Sequence, residues 1–196
     1  MLYIDTIFPT VVGRAQDVDA PWNQDVDYEA LKDYCEEIYR TVPRGGYGWL
    51  NDSVYSTAGT LSLLDDDRFT TINHWVERQI GQFARELKYT DNYYLKQGSM
   101  VLYTRGSSQE FHYHPGYTFS AVYYLTAPEG SSPLCLQSPS EPDMMSPKIL
   151  EYNDVNSMLW RIPAVERGVV MFRSFIQHCV PPHNTDEHRI AFVYEC

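Results

Sequence analysis

Two stretches of helical periodicity, followed by a series of short runs rich in β-branched and aromatic residues, predict an α+β chain that is mainly β. Helices that all precede the strands suggest one arrangement, in which the helices pack on one side of a largely antiparallel sheet or barrel. No internal repeat or linker breaks the 196 residues. We therefore expect a single domain over 1–196, with a helical part to about residue 90 and a β-barrel part from about 91.

The first helix is predicted over 25–41. Tyr28, Leu31, Tyr34, Cys35, Ile38 and Tyr39 follow three- and four-residue steps, Asp25 or Asp27 can cap its start, and Pro43, Arg44, Gly45 and Gly46 end it. The second is predicted over 67–87, where Phe69, Ile72, Trp75, Val76, Ile80, Phe83, Ala84 and Leu87 form a broad apolar stripe. A short strand over 1–13 is expected to break at Phe8-Pro9, and residues 44–66 read as irregular. Strands are predicted over 93–96, 99–104, 119–126, 168–173 and 189–195. Residues 127–148, with Pro128, Pro133, Pro139, Pro142 and Pro147 among serines, read as one long loop inside the β region, a frequent place for function.

Composition narrows the function classes. Aromatics make up 14% of the chain and Tyr alone contributes 16 residues, enough apolar surface to drive collapse and to exclude a disordered polymer. The net charge of −11 repels phosphate backbones and anionic lipid, so neither nucleic acid nor a membrane surface is an expected partner, although one local cleft can still be positive. No run of 18 apolar residues exists, and Met1-Leu2-Tyr3-Ile4-Asp5 lacks a basic and apolar leader pattern. Cys35, Cys135, Cys179 and Cys196 show no CxxC spacing. Free thiols and a cytoplasmic location are the expectation.

Histidines carry the chemistry. His112 and His114 flank Tyr113, and His178 follows 64 residues after His114. On a strand, residues i and i+2 point the same way, so this pair can converge on one ion while a third ligand arrives from a distant strand. Neutral imidazoles suit Fe, Zn, Cu or Ni. The competing reading makes His112 and His114 ordinary polar residues at a strand end. His74, His183 and His188 read as solvated, with His183 a fallback for the distal ligand.

The surrounding text sharpens this. Gln109-Glu110-Phe111-His112-Tyr113-His114-Pro115-Gly116 precedes Ser120-Ala121-Val122-Tyr123-Tyr124-Leu125. Gly168-Val169-Val170-Met171-Phe172, His178-Cys179-Val180-Pro181-Pro182 and His188-Arg189-Ile190-Ala191-Phe192 follow in that order. Over about residues 93–196, with a weaker match at Ile7-Phe8-Pro9, the chain resembles the 2-oxoglutarate- and Fe(II)-dependent oxygenases. It looks most like a prolyl-hydroxylase-related group with an H-x-H-P motif.

The resemblance implies a double-stranded β-helix of the jelly-roll or cupin-like kind, with the N-terminal helices packed on its sheet. It implies an Fe(II)- and 2-oxoglutarate-dependent dioxygenase that uses O₂, hydroxylates an unidentified small-molecule or peptide substrate, and releases succinate and CO₂. By the same resemblance His112, His114 and His178 are the metal ligands. Arg189 holds the far carboxylate of 2-oxoglutarate, for which a guanidinium is an always-charged bidentate partner, and Tyr124 and Tyr103 line that pocket. Met100 and Phe172 read as barrel packing only. A homodimer is compatible with this picture.

One departure stands out: most of the superfamily carries H-x-D or H-x-E where this chain has His114. Either His114 binds, or Glu110, at i−2 from His112, replaces it, or the site is degenerate. Two further readings stay open. One is a three-His cupin-like dioxygenase or isomerase that does not use 2-oxoglutarate, against which Arg189 and the Tyr-Tyr-Leu strand argue. The other is a non-catalytic jelly-roll binding protein, with Tyr47, Trp49, Tyr55 and Tyr117 as a partner surface. The stretch 44–66 and the loop 127–148 are expected to frame the cavity mouth, where Arg44, Arg105, Arg161 or Arg173 could meet an acidic substrate group.

Overall fold

Asp27 starts the first helix: its carboxylate accepts the Ala30 backbone N–H at 3.0 Å, and α1 (Tyr28–Thr41) follows. Leu31, Cys35 and Ile38 form the buried face of α1. A turn of 3₁₀ helix leads into α2 (Thr70–Glu86), whose buried face includes Ile72, Trp75, Val76, Ile80 and Phe83. These are the positions the periodicity marked. The computed structural model describes residues 3, 8–18, 20, 25–46, 49–89, 92–140 and 147–196.

Ten strands follow or flank the helices: β1 (Val12–Gln16), β2 (Tyr55–Ser56), β3 (Gln97–Tyr103), β4 (Gln109–His112), β5 (Phe119–Thr126), β6 (Leu134–Gln137), β7 (Leu159–Ile162), β8 (Gly168–Arg173), β9 (His178–Val180) and β10 (Arg189–Glu195). They form two antiparallel sheets, one ordered β1-β8-β5-β10-β3-β2 and the other β4-β9-β6-β7. From β3 onward the chain crosses repeatedly between the two sheets, and only the β6–β7 hairpin stays within one. That is the winding of a double-stranded β-helix.

Strand alternation divides the larger sheet's side chains between two cores. Met100, Leu102, Ala121, Tyr123, Met171, Ile190, Phe192 and Tyr194 face the helices. Val101, Tyr103, Val122, Tyr124, Val170, Phe172 and Ala191 face the barrel interior with Leu134, Leu136, Ile162 and Val180 of the smaller sheet. Asp17, fully buried just after β1, fastens the two layers. It accepts hydrogen bonds from Tyr28 at 2.9 Å, Tyr123 at 2.6 Å and Arg167 Nε at 2.8 Å.

Several sequence expectations need correction. Residues 93–96 are not a strand, and β3 begins at Gln97. The loop 127–148 contains β6, and the irregular stretch 44–66 contains β2. The predicted strand before Phe8 falls largely on residues outside those described, and β1 follows Pro9 and joins the larger sheet, so the part before residue 90 is not purely helical. Residues 1–2, 4–7, 47–48 and 141–146 lie outside the described residues, and with them fall Ile7, Tyr47 and Pro142. Among the described residues no helix is long and apolar enough to cross a membrane, and the four cysteines are free.

Candidate metal centre and cosubstrate pocket

His112 closes β4 and sits directly opposite His178 of β9 in the strand register. A β-bulge between Gln109 and His112 re-aims that end of β4. His114 lies two residues beyond the strand, where its backbone N–H donates to the Ser174 carbonyl at 2.9 Å. The structure brings the three together: one ligand atom from each lies within 4.8 Å of the others.

The outward ring nitrogens explain why they converge. His112 Nδ1 meets the Glu110 carbonyl at 2.9 Å, and His178 Nδ1 meets the Ile176 carbonyl at 2.9 Å. A carbonyl only accepts, so each Nδ1 is the donor and each Nε2 keeps its lone pair. His114 Nδ1 stands 2.8 Å from Glu195 Oε1, close but without full hydrogen-bond alignment. His114 Nε2 and His178 Nε2 are then 3.2 Å apart. Two nitrogens each about 2.1 Å from one ion, at angles of about 90–110°, stand about 3.0–3.4 Å apart, so the spacing fits a shared metal. Burial pushes the imidazole pKa of His112 down and that of His178 well down, with the neighbouring imidazoles adding to it. Both rings are therefore neutral and ready to ligate at pH 7.

Phe172 meets the His178 ring edge-to-face at 4.9 Å between centroids, so it covers that imidazole as well as packing the barrel. The Trp49 ring centroid lies 6.4 Å from that of His112. Glu110 is not in the cluster. Its Oε1 accepts the Leu50 backbone N–H at 2.8 Å, which holds the 49–54 segment against β4. Asn51 adds to that hold by donating to the Ser108 carbonyl at 2.9 Å.

Arg189 opens β10 inside the barrel, only 1% exposed. Its guanidinium carbon lies 4.6 Å from the Tyr103 ring centroid and 4.9 Å from that of Tyr124. Tyr103 donates to Gln109 Oε1 at 2.9 Å, whereas the Tyr124 hydroxyl and Arg189 Nε are buried with no hydrogen-bond partner. Burial raises the Tyr103 phenol to about 12 and raises that of Tyr124, partly offset in each by the charge of Arg189. No carboxylate pairs with Arg189 among the described residues. A buried cation so placed is costly unless an anion joins it.

Other candidates take other roles. His183 is fully buried, not solvated, and its Nε2 lies 2.9 Å from both Thr185 Oγ1 and the Glu187 carbonyl. His188 is half-buried and paired with Glu36 at 2.7 Å. Tyr55 is buried, its hydroxyl shared between the Ile38 and Val42 carbonyls at 3.1 Å each, so it clips α1 and offers no partner surface. Arg105 pairs with Asp186, Arg173 with the Tyr89 hydroxyl, and Arg161 is exposed on β7. Arg44 lies 5.8 Å from the Trp49 ring centroid and donates to the Val54 and Asn51 carbonyls at 2.9 and 3.3 Å. Sequence reading missed Glu195, Gln109 and the contact of Phe172 with His178. The available signal was the period of two along β10, which puts Glu195 on the same face as Arg189.

Residues 99–195 match the model of a family described as "Putative 2OG-Fe(II) oxygenase". No curated protein matches the chain. Among solved structures, a Pseudomonas putida prolyl-4-hydroxylase aligns with a TM-score of 0.61 at 13% identity, covering 95% of this chain and 92% of that one. A Trichoplax adhaerens prolyl hydroxylase, in complex with a hypoxia inducible factor oxygen degradation domain peptide, aligns at 0.60 and 12%, covering 94% and 82%. The epimerase SnoN, in complex with Fe3+, alpha ketoglutarate and nogalamycin RO, aligns at 0.64 and 12%, covering 95% and 78%. At these identities the likeness is one of fold, the double-stranded β-helix.

Proposed function

The barrel half of the chain, residues 99–195, belongs to the 2OG-Fe(II) oxygenase family, and on that premise we propose specific roles for its buried residues. His112, His114 and His178 hold Fe(II) through their Nε2 atoms, and Arg189 with Tyr124 and Tyr103 holds the far carboxylate of 2-oxoglutarate. One observation carries the reading. Three imidazole nitrogens converge where β4 meets β9 of the smaller sheet, while the larger sheet holds a buried guanidinium against Tyr103 and Tyr124, with no carboxylate partner among the described residues.

Family membership makes the protein a 2-oxoglutarate/Fe(II)-dependent dioxygenase, an oxidoreductase. With iron bound, O₂ and 2-oxoglutarate supply the oxidising power to hydroxylate a substrate, with succinate and CO₂ released. The chain's own residues bind, orient and exclude. Arg189 can offer two parallel N–H donors to a carboxylate, and the Tyr103 and Tyr124 rings, 4.6 and 4.9 Å from its guanidinium carbon, limit its movement. The unpartnered Tyr124 hydroxyl supplies a third donor. Phe172 beside His178 and Trp49 beside His112 help to keep water from the histidines.

The same pocket counts against a three-His enzyme that ignores 2-oxoglutarate, since that chemistry gives Arg189 nothing to bind. For the substrate we propose a peptide or a small molecule, entering beside Arg44 and Trp49. The test is succinate formation from 2-oxoglutarate by the Fe(II)-reconstituted protein across peptidyl-proline and small-molecule panels. Turnover that proceeds equally without 2-oxoglutarate would sink the proposal.

A further inference from the structure

We propose that Glu195 is a positioning residue for the metal centre, acting through His114; this rests on reading His112, His114 and His178 as that centre. The three histidines are backed differently. His112 and His178 direct Nδ1 at neutral backbone carbonyls, whereas His114 directs Nδ1 at a carboxylate 2.8 Å away. Three neutral imidazoles bring no negative charge to a divalent ion. Glu195 places one negative charge a single ring further out, on the ligand that follows the strand and is least restrained by it.

Glu195 is only 4% exposed, and its surroundings aim it. Ser120 donates to Oε2 at 2.7 Å, and Ser174 lies 2.8 Å from the Ser120 hydroxyl. Oε1 makes no aligned hydrogen bond, and the His114 Nδ1 atom 2.8 Å away is the group it faces. A carboxylate there selects the tautomer that protonates Nδ1 and frees Nε2, fixes the ring plane, and raises the ligand's basicity. Arg189 and Glu195 open and close β10 on the same face, so one strand orients both the cosubstrate's cation and the metal's outer carboxylate.

The test is anaerobic Co(II) titration at neutral pH, read by ligand-field absorption and by competition with a chromophoric chelator, in wild type, Glu195→Gln, Glu195→Asp and Ser120→Ala. Glutamine keeps the size and an acceptor oxygen but removes the charge. We expect Glu195→Gln to weaken Co(II) binding about 10–100-fold with an altered absorption envelope, and Glu195→Asp to recover part of the loss. The metal-free melting temperature of Glu195→Gln should stay near that of wild type. Wild-type affinity and spectrum in Glu195→Gln would overturn the proposal while leaving the metal site standing. Failure of folded wild type to bind Co(II) would overturn both. Should Glu195→Gln not fold, Ser120→Ala decides, because it only loosens the Oε2 anchor: several-fold weaker binding supports the proposal and unchanged binding overturns it.

Discussion

His114 Nε2 and His178 Nε2 face each other across 3.2 Å, with His178 Nδ1 donating to the Ile176 carbonyl and His114 Nδ1 2.8 Å from the Glu195 carboxylate. With Nδ1 protonated on both rings, two lone pairs meet at that distance and repel unless a cation lies between them. The arrangement is therefore one that a metal ion stabilises, and the folded state should gain from binding it. Fe(II) or Ni(II) at about 100 times its Kd should add about 2.7 kcal/mol, or about 5–10 °C in Tm for a chain of this size. His178→Ala should abolish that shift in a thermal melt. A shift of wild-type size in His178→Ala would count against the triad.

Arg189 has no carboxylate partner among the described residues, so an incoming anion can answer its charge inside the barrel. Arg189→Ala should lose at least about 100-fold in 2-oxoglutarate affinity, since two charge-assisted hydrogen bonds disappear, each worth about 1.5–3 kcal/mol. Metal binding should stay within about threefold, because no histidine depends on Arg189. Isothermal titration with 2-oxoglutarate, on protein loaded with Ni(II), reads both quantities.

Acid should destabilise the metal-free protein in a definite window. Burial holds His178 well below its ordinary 6.5 and His112 below it, so the folded state refuses protons that the unfolded chain accepts. With more protons on the unfolded side, stability rises with pH beneath about 6.5 and levels off above it. Metal-free Tm should drop between about pH 6.5 and pH 5. His178→Phe should flatten that slope, and an equal slope in both proteins would contradict the assignment.

Asp17 offers a contrast away from the chemistry. It is fully buried with Arg167, Tyr28 and Tyr123 around it. Asp17→Asn should cost about 3 kcal/mol, read as a lower urea midpoint at unchanged m, because it uncouples a buried pair and turns amide donors toward hydroxyl donors. Metal affinity should not change. A stability loss below about 0.5 kcal/mol would show that the network does not hold the helices to the barrel.

Legibility followed burial. Both helices and β5, β8 and β10 could be read from the sequence because their apolar residues keep a period: Phe69 to Phe83 at helical steps, Ile190, Phe192 and Tyr194 at every second position. The smaller sheet was harder. Gln109–His112 and His178–Val180 are short, and site residues interrupt their apolar pattern, while Leu134–Gln137 hides between prolines. The clustering of His112, His114 and His178 was legible because residue type and spacing announce it, while Arg189 was singled out by the family resemblance. Glu195 was not, because one acidic residue at the end of a buried strand reads as a solvated terminus. Only the fold shows that it points inward at His114.

The most direct test of the central claim is anaerobic addition of 2-oxoglutarate to the Fe(II)-loaded protein, followed by visible absorption. A charge-transfer band should appear in wild type and be absent from Arg189→Ala, which still holds iron. A folded wild-type protein that binds iron yet shows no band on saturation with 2-oxoglutarate would contradict the account.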